Sequence, residues 1–336
     1  MAFEGPLFIV GLSRSGTSLL RNLLNRNSRI SMTPVESHFI PFLISKYGRK
    51  PDFSTLQKKE QLKKCLRKTF FFRKLASKGY SMNWPELMRR METGDWNLII
   101  QYIFETFAEK PYQPGMIWGD KTPRYLPYVP NIKEILPNAR FIQIIRDPRD
   151  RAMSVKARWG KVFSRSASEW NRQLTLSREY PNLLGADYKE IHYEKLLADP
   201  EETMMDLCKF MEVNFEPEML TQKKAERRYG DTRGKLHIVS ENCNKFANRL
   251  SDRKIRRIEE IAFPMMQELG YEVMIAAGHI PVGRVRALIL RMFDIVFHVW
   301  SILREYGFKA GIQRSYQVFR TRILLKYISK RGIGPE

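Results

Sequence analysis

The segment from Gly11 to Ser18 carries the residue types from which proteins build anion sites. Its sequence, Gly-Leu-Ser-Arg-Ser-Gly-Thr-Ser, has an arginine before the second glycine and two hydroxyl residues after it. Glycine permits a tight turn and a close approach of the backbone, and the first N–H groups of a following helix attract negative charge. The segment therefore predicts a loop that holds a phosphate-like group.

The same segment departs from the loop that binds nucleoside triphosphates. That loop reads G-x-x-x-x-G-K-[ST]; the glycine spacing fits here, but Thr17 occupies the lysine position. The lysine reaches the transferred phosphate in ATPases and kinases, whereas the nearest cation here is Arg14. Asp147 follows an apolar segment, as a magnesium-binding Asp would, but Arg146 precedes it and favours an anion. Both departures argue against chemistry on ATP and magnesium.

A second group of cations begins at Arg146 and continues into a predicted helix. Ser154 and Arg158 lie four residues apart, so a helix places them on one face, where Arg146 can join them around one anion. Arginine offers planar donors with a fixed charge, which suit phosphate. The plain alternative is a surface network of ion pairs with Asp147 and Asp150. Two anion sites in one chain predict a nucleotide phosphorylated at both ends.

Short buried strands that alternate with helices position these segments. Continuous apolar sequence predicts strands at Leu7–Val10 and Ala139–Arg146, and weaker signals predict strands at Ile30–Met32 and Asp187–His192. Helices are predicted at 17–27, 200–211 and 252–269, and residues 52–110 are predicted to be helical, as a lid or an insertion. This alternation is typical of an α/β fold with a parallel sheet.

Composition limits the function classes that fit. The chain has 336 residues, 43% of them hydrophobic, so it can bury a large core in one large domain or two small ones. A net charge of +22 favours anionic partners. Three widely spaced cysteines and five scattered histidines form neither a disulfide framework nor a metal-ligand motif, so no protein-bound metal is expected. The N-terminus carries no secretory signal, and a cytoplasmic location is expected.

Together, the two anion segments resemble the sulfotransferases that use 3′-phosphoadenosine-5′-phosphosulfate. The first is similar to their 5′-phosphosulfate loop, P-[KR]-S-G-T-[ST], with Ser13 in place of the proline. The second is similar to their 3′-phosphate site, R-D-x-R with a serine eight residues after the first arginine. The form with Arg14 is most similar to tyrosylprotein sulfotransferases and to bacterial carbohydrate or small-molecule relatives. Blocks at 119–124 and 192–197 also match, and the resemblance runs from about residue 6 to residue 273.

The resemblance implies roles in binding the nucleotide donor. The residues that would hold its 5′-phosphosulfate are Arg14, Ser15, Gly16, Thr17 and Ser18. Those that would bind its 3′-phosphate are Arg146, Ser154 and Arg158. Further contacts to the nucleotide would come from Tyr193 and Lys245.

The resemblance also implies catalytic roles for Glu36, as general base, and for Lys121 and Arg14. Sulfuryl transfer is similar to phosphoryl transfer, in which a loose transition state builds charge on the leaving oxygen. Arg14 and Lys121 would neutralise this charge, and Glu36 would take the acceptor proton. His38 is the rival base, although an extended backbone would turn it away. Without catalysis, Glu36 would be a solvated acid or a partner of Arg14, and Lys121 would form an ion pair near Asp120.

These interpretations predict an α/β sulfotransferase domain over residues 1–275, in which helices flank a P-loop-like parallel sheet in three layers. A helical insertion lies at about 52–110, and a basic amphipathic helical extension covers 276–336. The predicted function is direct in-line transfer of a sulfuryl group from 3′-phosphoadenosine-5′-phosphosulfate to a hydroxyl or amine of an unidentified acceptor, without a metal.

Two rival functions stay open at this point. One is a nucleotide-dependent kinase with a degenerate loop, and the other is a non-catalytic protein that binds anions or lipid. The helices at 284–331 are expected to pack on the domain or on a dimer partner, or to lie on an anionic membrane surface. No nucleic-acid partner is expected, and the oligomeric state is open, a homo-oligomer included.

Overall fold

The computed structural model describes residues 2–222, 235–283, 285–290 and 292–293. Within these ranges a parallel sheet is formed by β1 (Leu7–Gly11), β2 (Ile30–Met32), β3 (Ile117–Lys121), β4 (Arg140–Ile145) and β5 (Tyr188–His192). Their order across the sheet is β2-β3-β1-β4-β5. The connection from β1 to β2 passes over β3, and the one from β3 to β4 passes over β1. The strands on the two sides of β1 are therefore reached by connections that run in opposite directions.

Helices precede and follow the strands along the chain. Those between β1 and β3 are α1 (Thr17–Leu24), α2 (Ile40–Tyr47), α3 (Leu56–Lys68), α4 (Phe70–Ala76), α5 (Trp84–Met91) and α6 (Trp96–Thr106). Those from β3 to β5 are α7 (Val129–Ile135), α8 (Pro148–Trp159), α9 (Phe163–Ser177) and α10 (Tyr180–Leu184). After β5 come α11 (Tyr193–Ala198), α12 (Pro200–Met211), α13 (Phe246–Arg249) and α14 (Asp252–Glu268).

The side chains of β1 alternate between two buried faces of the sheet. Phe8 and Val10 belong to a core cluster with residues of α2 to α7, whereas Leu7 and Ile9 belong to a cluster with residues of α1, α11 and α12. A strand buried on both faces needs apolar side chains at successive positions, which is why its sequence is a continuous apolar run. The three-layer α/β fold predicted from the sequence is thus confirmed.

The segment predicted as an insertion is helical, in α3 to α6, and forms part of the core. Phe104 of α6 stands edge-on to Phe8 of β1, with ring centroids 6.3 Å apart. Phe71 of α4 packs against Phe39, with ring centroids 5.4 Å apart. The aromatic residues of this segment therefore build the helical layer on one face of the sheet rather than a separate lid.

Two elements differ from the sequence prediction. Helix α1 ends at Leu24, three residues before the predicted end, because the chain turns at Asn27, whose side-chain oxygen accepts from the Arg29 N–H at 3.0 Å. Strand β3 was not predicted, since glycine, aspartate and lysine form its second half and have low strand propensity. Gly119 is required there, because a Cβ atom would lie 2.0 Å from the carbonyl oxygen of Leu7 in β1.

Little of the predicted C-terminal extension can be compared with the structure. Residues 276–283 are irregular, and residues 285–290 and 292–293 are helical. The rest of 276–336 lies outside the described residues, and with it most of the segment 284–331 that was predicted to pack on the domain or a dimer partner or to lie on a membrane surface. Among the residues that are described, no helix is both long and apolar enough to cross a membrane.

Candidate active site

Every strand of the sheet leads into a predicted site segment at its carboxyl end. The loop at 12–16 follows β1, the segment with Glu36 follows β2, and Lys121 is the last residue of β3. Arg146 follows β4 directly, and Tyr193 follows β5 directly. Because the strands are parallel, these ends lie along one edge of the sheet, where open α/β sheets bind their ligands.

The loop after β1 makes a tight turn against Tyr193. Gly16, with a φ of 94°, precedes the first residue of α1. A Cβ atom at this position would lie 2.3 Å from the Tyr193 ring. Arg14 also has a positive φ, 76°, which is uncommon outside glycine. The backbone thus brings the N-terminus of α1, with its unpaired N–H groups, to the edge of the sheet.

Replacing Gly16 with Ala is expected to destabilise the fold. The positive φ alone costs a residue with a Cβ atom about 1–2 kcal/mol, and the contact with Tyr193 adds to this loss. Gly79→Ala is the matched control, because Gly79 has a φ of 85° and a Cβ atom there would meet nothing within 4 Å. Urea unfolding should show a larger loss for Gly16→Ala. Equal losses would mean that the Tyr193 ring moves aside without cost.

Arginine side chains join the loop to α8 and its preceding residue. Arg14 Nε donates to Ser154 Oγ at 2.9 Å, which connects the two segments predicted to bind anions. Arg146 Nη1 donates to the Arg14 carbonyl at 3.3 Å, and Arg151 Nε donates to the Ser13 carbonyl at 3.2 Å. The two predicted anion sites are therefore adjacent, and arginines hold the carbonyl groups of the loop.

Arg146 is buried, with 6% of its surface exposed, and it keeps donor capacity. Its guanidinium lies over the Tyr193 ring at 4.4 Å from the centroid, and Nη2 donates to the Asn242 carbonyl at 2.8 Å. In the described part of the chain, Arg146 Nε and Ser15 Oγ are buried without a hydrogen-bond partner. Buried donors without partners are costly, so both fit a ligand that accepts hydrogen bonds, as a phosphate does.

The remaining predicted nucleotide contacts lie around these groups. Arg158 is one turn beyond Ser154 on α8, as predicted, and both are partly buried. Lys245 Nζ donates to Asn242 Oδ1 at 2.5 Å, and Asn242 Nδ2 donates to the Tyr193 hydroxyl at 2.6 Å. Asn242 was missed by the sequence analysis, because it lies in an irregular segment without a motif. It links Lys245, Tyr193 and Arg146.

The Asp147 carboxylate is occupied by hydrogen bonds from Arg149 and does not face an open binding site. Its two carboxylate oxygens accept from Arg149 Nε at 3.1 Å and from Nη2 at 2.6 Å, and the same carboxylate accepts from the Arg149 backbone N–H. Arg149 also pairs with Glu259 at 2.7 Å. Asp147 and Asp150 thus form ion pairs, with Arg149 and with Arg146 at 3.8 Å, but these pairs are buried and not on the surface. Within the described ranges, no three His, Cys, Asp or Glu side chains cluster as metal ligands.

Glu36 lies between two cationic or potentially cationic groups. Lys121 Nζ donates to one of its carboxylate oxygens, and His38 Nε2 lies 3.0 Å from the other. The backbone at His38 is not extended, because its φ is 55°, and the ring therefore does not turn away but contacts Glu36. The Glu36 carboxylate thus pairs with Lys121, so Lys121 forms an ion pair, as its alternative role implied, but with the candidate base.

A cavity of about 170 Å³ lies between the candidate base and the start of α1. Its lining includes Ser18 from the start of α1, Glu36, and Lys121 from the end of β3. Arg21 and Thr33 complete the polar part of the wall, and both were missed by the sequence analysis. The structure therefore places an acid, a lysine and the N-terminus of α1 around one space.

The environment of Glu36 keeps it ionised. Burial by itself raises the pKa of the Glu36 carboxyl, but the hydrogen bond from His38 and the charge of Lys121 outweigh this and lower the pKa from 4.5 to about 2. Because the pKa in the folded protein is below the ordinary value, ionised Glu36 contributes stability above pH 4.5 that is lost as the pH falls toward 2.

Replacing Lys121 with Met is expected to raise the pKa of Glu36 toward 4.5, since one of the two groups that lower it is lost. The ¹³C chemical shift of the Glu36 carboxyl, identified by its absence in Glu36→Gln, reports this during an acid titration. A pKa that stays the same in Lys121→Met would show that the ion pair does not control the Glu36 charge.

Comparisons with known proteins agree with this geometry. The sequence model of the Sulfotransferase family matches residues 6–217. The protein-tyrosine sulfotransferase of Drosophila melanogaster is 24% identical over 290 residues, which cover 80% of this chain and 52% of that protein. An uncharacterized protein of Aquifex aeolicus (strain VF5) is 23% identical over 274 residues, which cover 79% of this chain and 32% of that protein. The chain thus spans about half of one relative and about a third of the other.

Two solved structures share the fold. The sulfotransferase domain from the curacin biosynthetic pathway has a TM-score of 0.52 and 20% identity, and the match covers 82% of this chain and 100% of that one. The sulfotransferase domain from the Synechococcus PCC 7002 olefin synthase has a TM-score of 0.54 and 17% identity, and the match covers 82% and 98%. The family match over residues 6–217, more than half of the chain, establishes that this protein belongs to the sulfotransferase family.

Proposed function

We propose that this protein transfers a sulfuryl group from 3′-phosphoadenosine-5′-phosphosulfate to a hydroxyl or amine of an acceptor. One hydrogen bond carries the proposal, the contact of 2.9 Å from Arg14 Nε to Ser154 Oγ that joins the two anion segments. Both phosphates of this donor are attached to one ribose, so adjacent anion sites suit it. A nucleoside triphosphate carries its charge in a single chain and would engage only one of them.

Donor binding uses groups that have spare hydrogen-bonding capacity. The 5′-phosphosulfate is held by Arg14 to Ser18, where Ser15 Oγ is buried without a partner in the described residues and the N-terminus of α1 adds its N–H groups. The 3′-phosphate is bound by Arg146, Ser154 and Arg158. Asn242 contacts Tyr193, Lys245 and Arg146 and so holds all three together. Tyr193 and Lys245 contact the nucleotide on the side where Arg146 lies.

The reaction is a single displacement at sulfur. The acceptor oxygen or nitrogen forms a bond to sulfur while the bond from sulfur to the 5′-phosphate oxygen breaks, and adenosine 3′,5′-bisphosphate leaves. The acceptor proton passes to a carboxylate oxygen of Glu36. Arg14 and Lys121 neutralise the charge that develops on the leaving oxygen and on the sulfuryl group, so that fixed protein cations do the work of the metal in phosphoryl transfer.

The ion pair between Lys121 and Glu36 makes the base responsive to the donor. A carboxyl with a pKa of about 2 is a weak base. When Lys121 Nζ turns toward the sulfuryl oxygens, Glu36 loses a group that lowers its pKa and becomes a better proton acceptor. Proton transfer then comes late, after bond breaking has begun.

The test is incubation of the protein with the sulfated donor and a panel of acceptors. A tyrosine-containing peptide belongs in the panel, because the relative from Drosophila melanogaster is named a protein-tyrosine sulfotransferase. We expect adenosine 3′,5′-bisphosphate to form, and one acceptor to gain the mass of a sulfuryl group in mass spectrometry. Consumption of ATP and magnesium without consumption of the sulfated donor would instead identify the rival kinase function.

A further inference from the structure

A buried acid lies directly beside the candidate catalytic lysine. Asp120 precedes Lys121 in β3, and successive side chains of a strand point to opposite faces of the sheet. Lys121 therefore reaches Glu36, while Asp120 is fully buried on the opposite face. The proposed reaction uses no group of Asp120, so its burial has no explanation in the mechanism above.

Three hydroxyl groups converge on the Asp120 carboxyl. Thr33 Oγ1 lies 3.0 Å from Oδ1, and Ser37 Oγ and Thr122 Oγ1 each lie 2.6 Å from Oδ2. Thr33 and Ser37 stand on the two sides of Glu36 in the sequence. One carboxyl group of β3 thus holds both ends of the segment that carries the candidate base.

Two hydroxyl groups donate to Oδ2. Ser37 Oγ donates to Asp120 Oδ2 at 2.6 Å and also lies 2.6 Å from the Tyr125 hydroxyl, which accepts from the Ile40 N–H at 3.1 Å. Thr122 Oγ1 likewise accepts from the Ser37 N–H at 3.0 Å and directs its proton to Asp120. Oδ2 therefore accepts two hydrogen bonds.

The opposite oxygen, Oδ1, has a different partner arrangement. Thr33 Oγ1 lies 3.2 Å from the Val35 carbonyl as well as 3.0 Å from Asp120 Oδ1. One hydroxyl proton cannot serve two acceptors fully, and the Val35 carbonyl can only accept. In the ionised state Thr33 Oγ1 donates to Oδ1, and the Val35 carbonyl competes for the same proton. In the protonated state Oδ1 donates to Thr33 Oγ1, and the threonine proton serves Val35. Burial, which outweighs the hydrogen bonds from the hydroxyls, raises the pKa of Asp120 in agreement with this arrangement.

We propose that Asp120 is a positioning residue that, as a neutral acid, ties Thr33 and Ser37 together and thereby fixes Glu36 against Lys121. The inference rests on the proposed function, because it concerns the placement of the base for sulfuryl transfer. Asp120 touches neither reactant. It acts through the backbone on both sides of Glu36 and through the shared strand with Lys121.

If Asp120 acts as a neutral acid, its substitution by Asn and its substitution by Ala should have different effects. Asn at position 120 keeps an acceptor for Ser37 and Thr122, and its amide donates to Thr33 as the protonated acid does. We therefore expect Asp120→Asn to keep a kcat close to that of the wild type. Asp120→Ala removes the whole connection and is expected to lower kcat about tenfold, because misplaced catalytic groups lose rate steeply. Affinity for adenosine 3′,5′-bisphosphate should stay the same in both variants.

A double-mutant cycle tests whether Asp120 acts through Glu36. In a Glu36→Gln background, Asp120→Ala should cause little further loss of kcat. Ser37→Ala, which removes one hydrogen-bond partner of Asp120, should lower kcat in the wild-type background and replaces Asp120→Ala in the test if that variant does not fold.

Ser177→Ala is the matched control, because Ser177 is also a buried serine and its hydroxyl contacts Gln143 and Leu174, away from the site. It should leave kcat unchanged.

A readout without turnover separates this inference from the proposed function. Loosening the Glu36 segment should raise the pKa of Glu36 in Asp120→Ala and Ser37→Ala, as followed by the carboxyl ¹³C shift. A kcat that falls as far in Asp120→Asn as in Asp120→Ala overturns the neutral-acid role. A full loss of rate in the Glu36→Gln background, with an unchanged Glu36 pKa, overturns the positioning role. A wild-type protein that never consumes the donor overturns the proposed function and the inference that rests on it.

Discussion

Replacing Glu36 with Gln is expected to lower kcat by about 10²- to 10⁴-fold, the range that a general base contributes. Gln preserves the size of the side chain and its ability to accept from Lys121, but it cannot take the acceptor proton. The Glu36 side chain is not part of either anion segment, so donor affinity should change little. Initial rates at saturating donor measure kcat, and calorimetry with adenosine 3′,5′-bisphosphate measures the affinity.

Two further variants complete this experiment. Glu92→Gln is the matched control, because Glu92 also pairs with a lysine, Lys59 at 2.7 Å, but lies on the surface outside the site. His38→Gln tests the rival base, which contacts Glu36 and should contribute only through it. If Glu36→Gln turns over near the wild-type rate while His38→Gln does not, the base is His38 and the assignment to Glu36 is wrong.

Replacing Arg146 with Ala is expected to weaken binding of adenosine 3′,5′-bisphosphate by about 2–5 kcal/mol, the loss on truncating one partner of a buried charge pair. The guanidinium is buried over the Tyr193 ring and its Nε has no partner in the described residues, so we expect the 3′-phosphate to be its acceptor. The effect should depend on that phosphate. Affinity for adenosine 5′-phosphosulfate, which lacks it, should fall much less.

Arg140→Ala is the matched control for Arg146→Ala. Arg140 begins the same strand, β4, and its guanidinium lies 4.2 Å from the centroid of the Phe3 ring, but it faces the opposite edge of the sheet. It should lower stability without changing nucleotide affinity. An equal loss of affinity for both nucleotides in Arg146→Ala would show that Arg146 only supports the loop through the Arg14 carbonyl. The assignment to the 3′-phosphate would then be wrong.

Four of the five described strands and the positions of the two predicted anion segments could be predicted because their signals are local. A buried parallel strand such as β1 has a continuous apolar sequence, and the glycine at its end indicates a turn. The arginines after β4 follow another such strand. Since parallel strands end at one edge, the position of the loop and of Arg146 followed from the strand predictions.

The acid–cation pair and its support could not be predicted from the residues alone. Glu36 and Lys121 are 85 positions apart in sequence and meet because β3 lies between β1 and β2. Strand β3 gave no apolar signal, because its buried Asp120 is satisfied by hydroxyl groups of Thr33, Ser37 and Thr122 and not by apolar neighbours. The positive φ of His38 could not be predicted either, because a histidine in the sequence does not indicate a left-handed backbone as a glycine does.

Calorimetry with three adenosine nucleotides tests the central claim most directly. The adjacent anion sites should bind one adenosine 3′,5′-bisphosphate per chain, far more tightly than adenosine with either phosphate alone, because only the bisphosphate engages both sites. Failure of the bisphosphate to bind, or equal affinity for it and for adenosine 5′-monophosphate, would contradict the account.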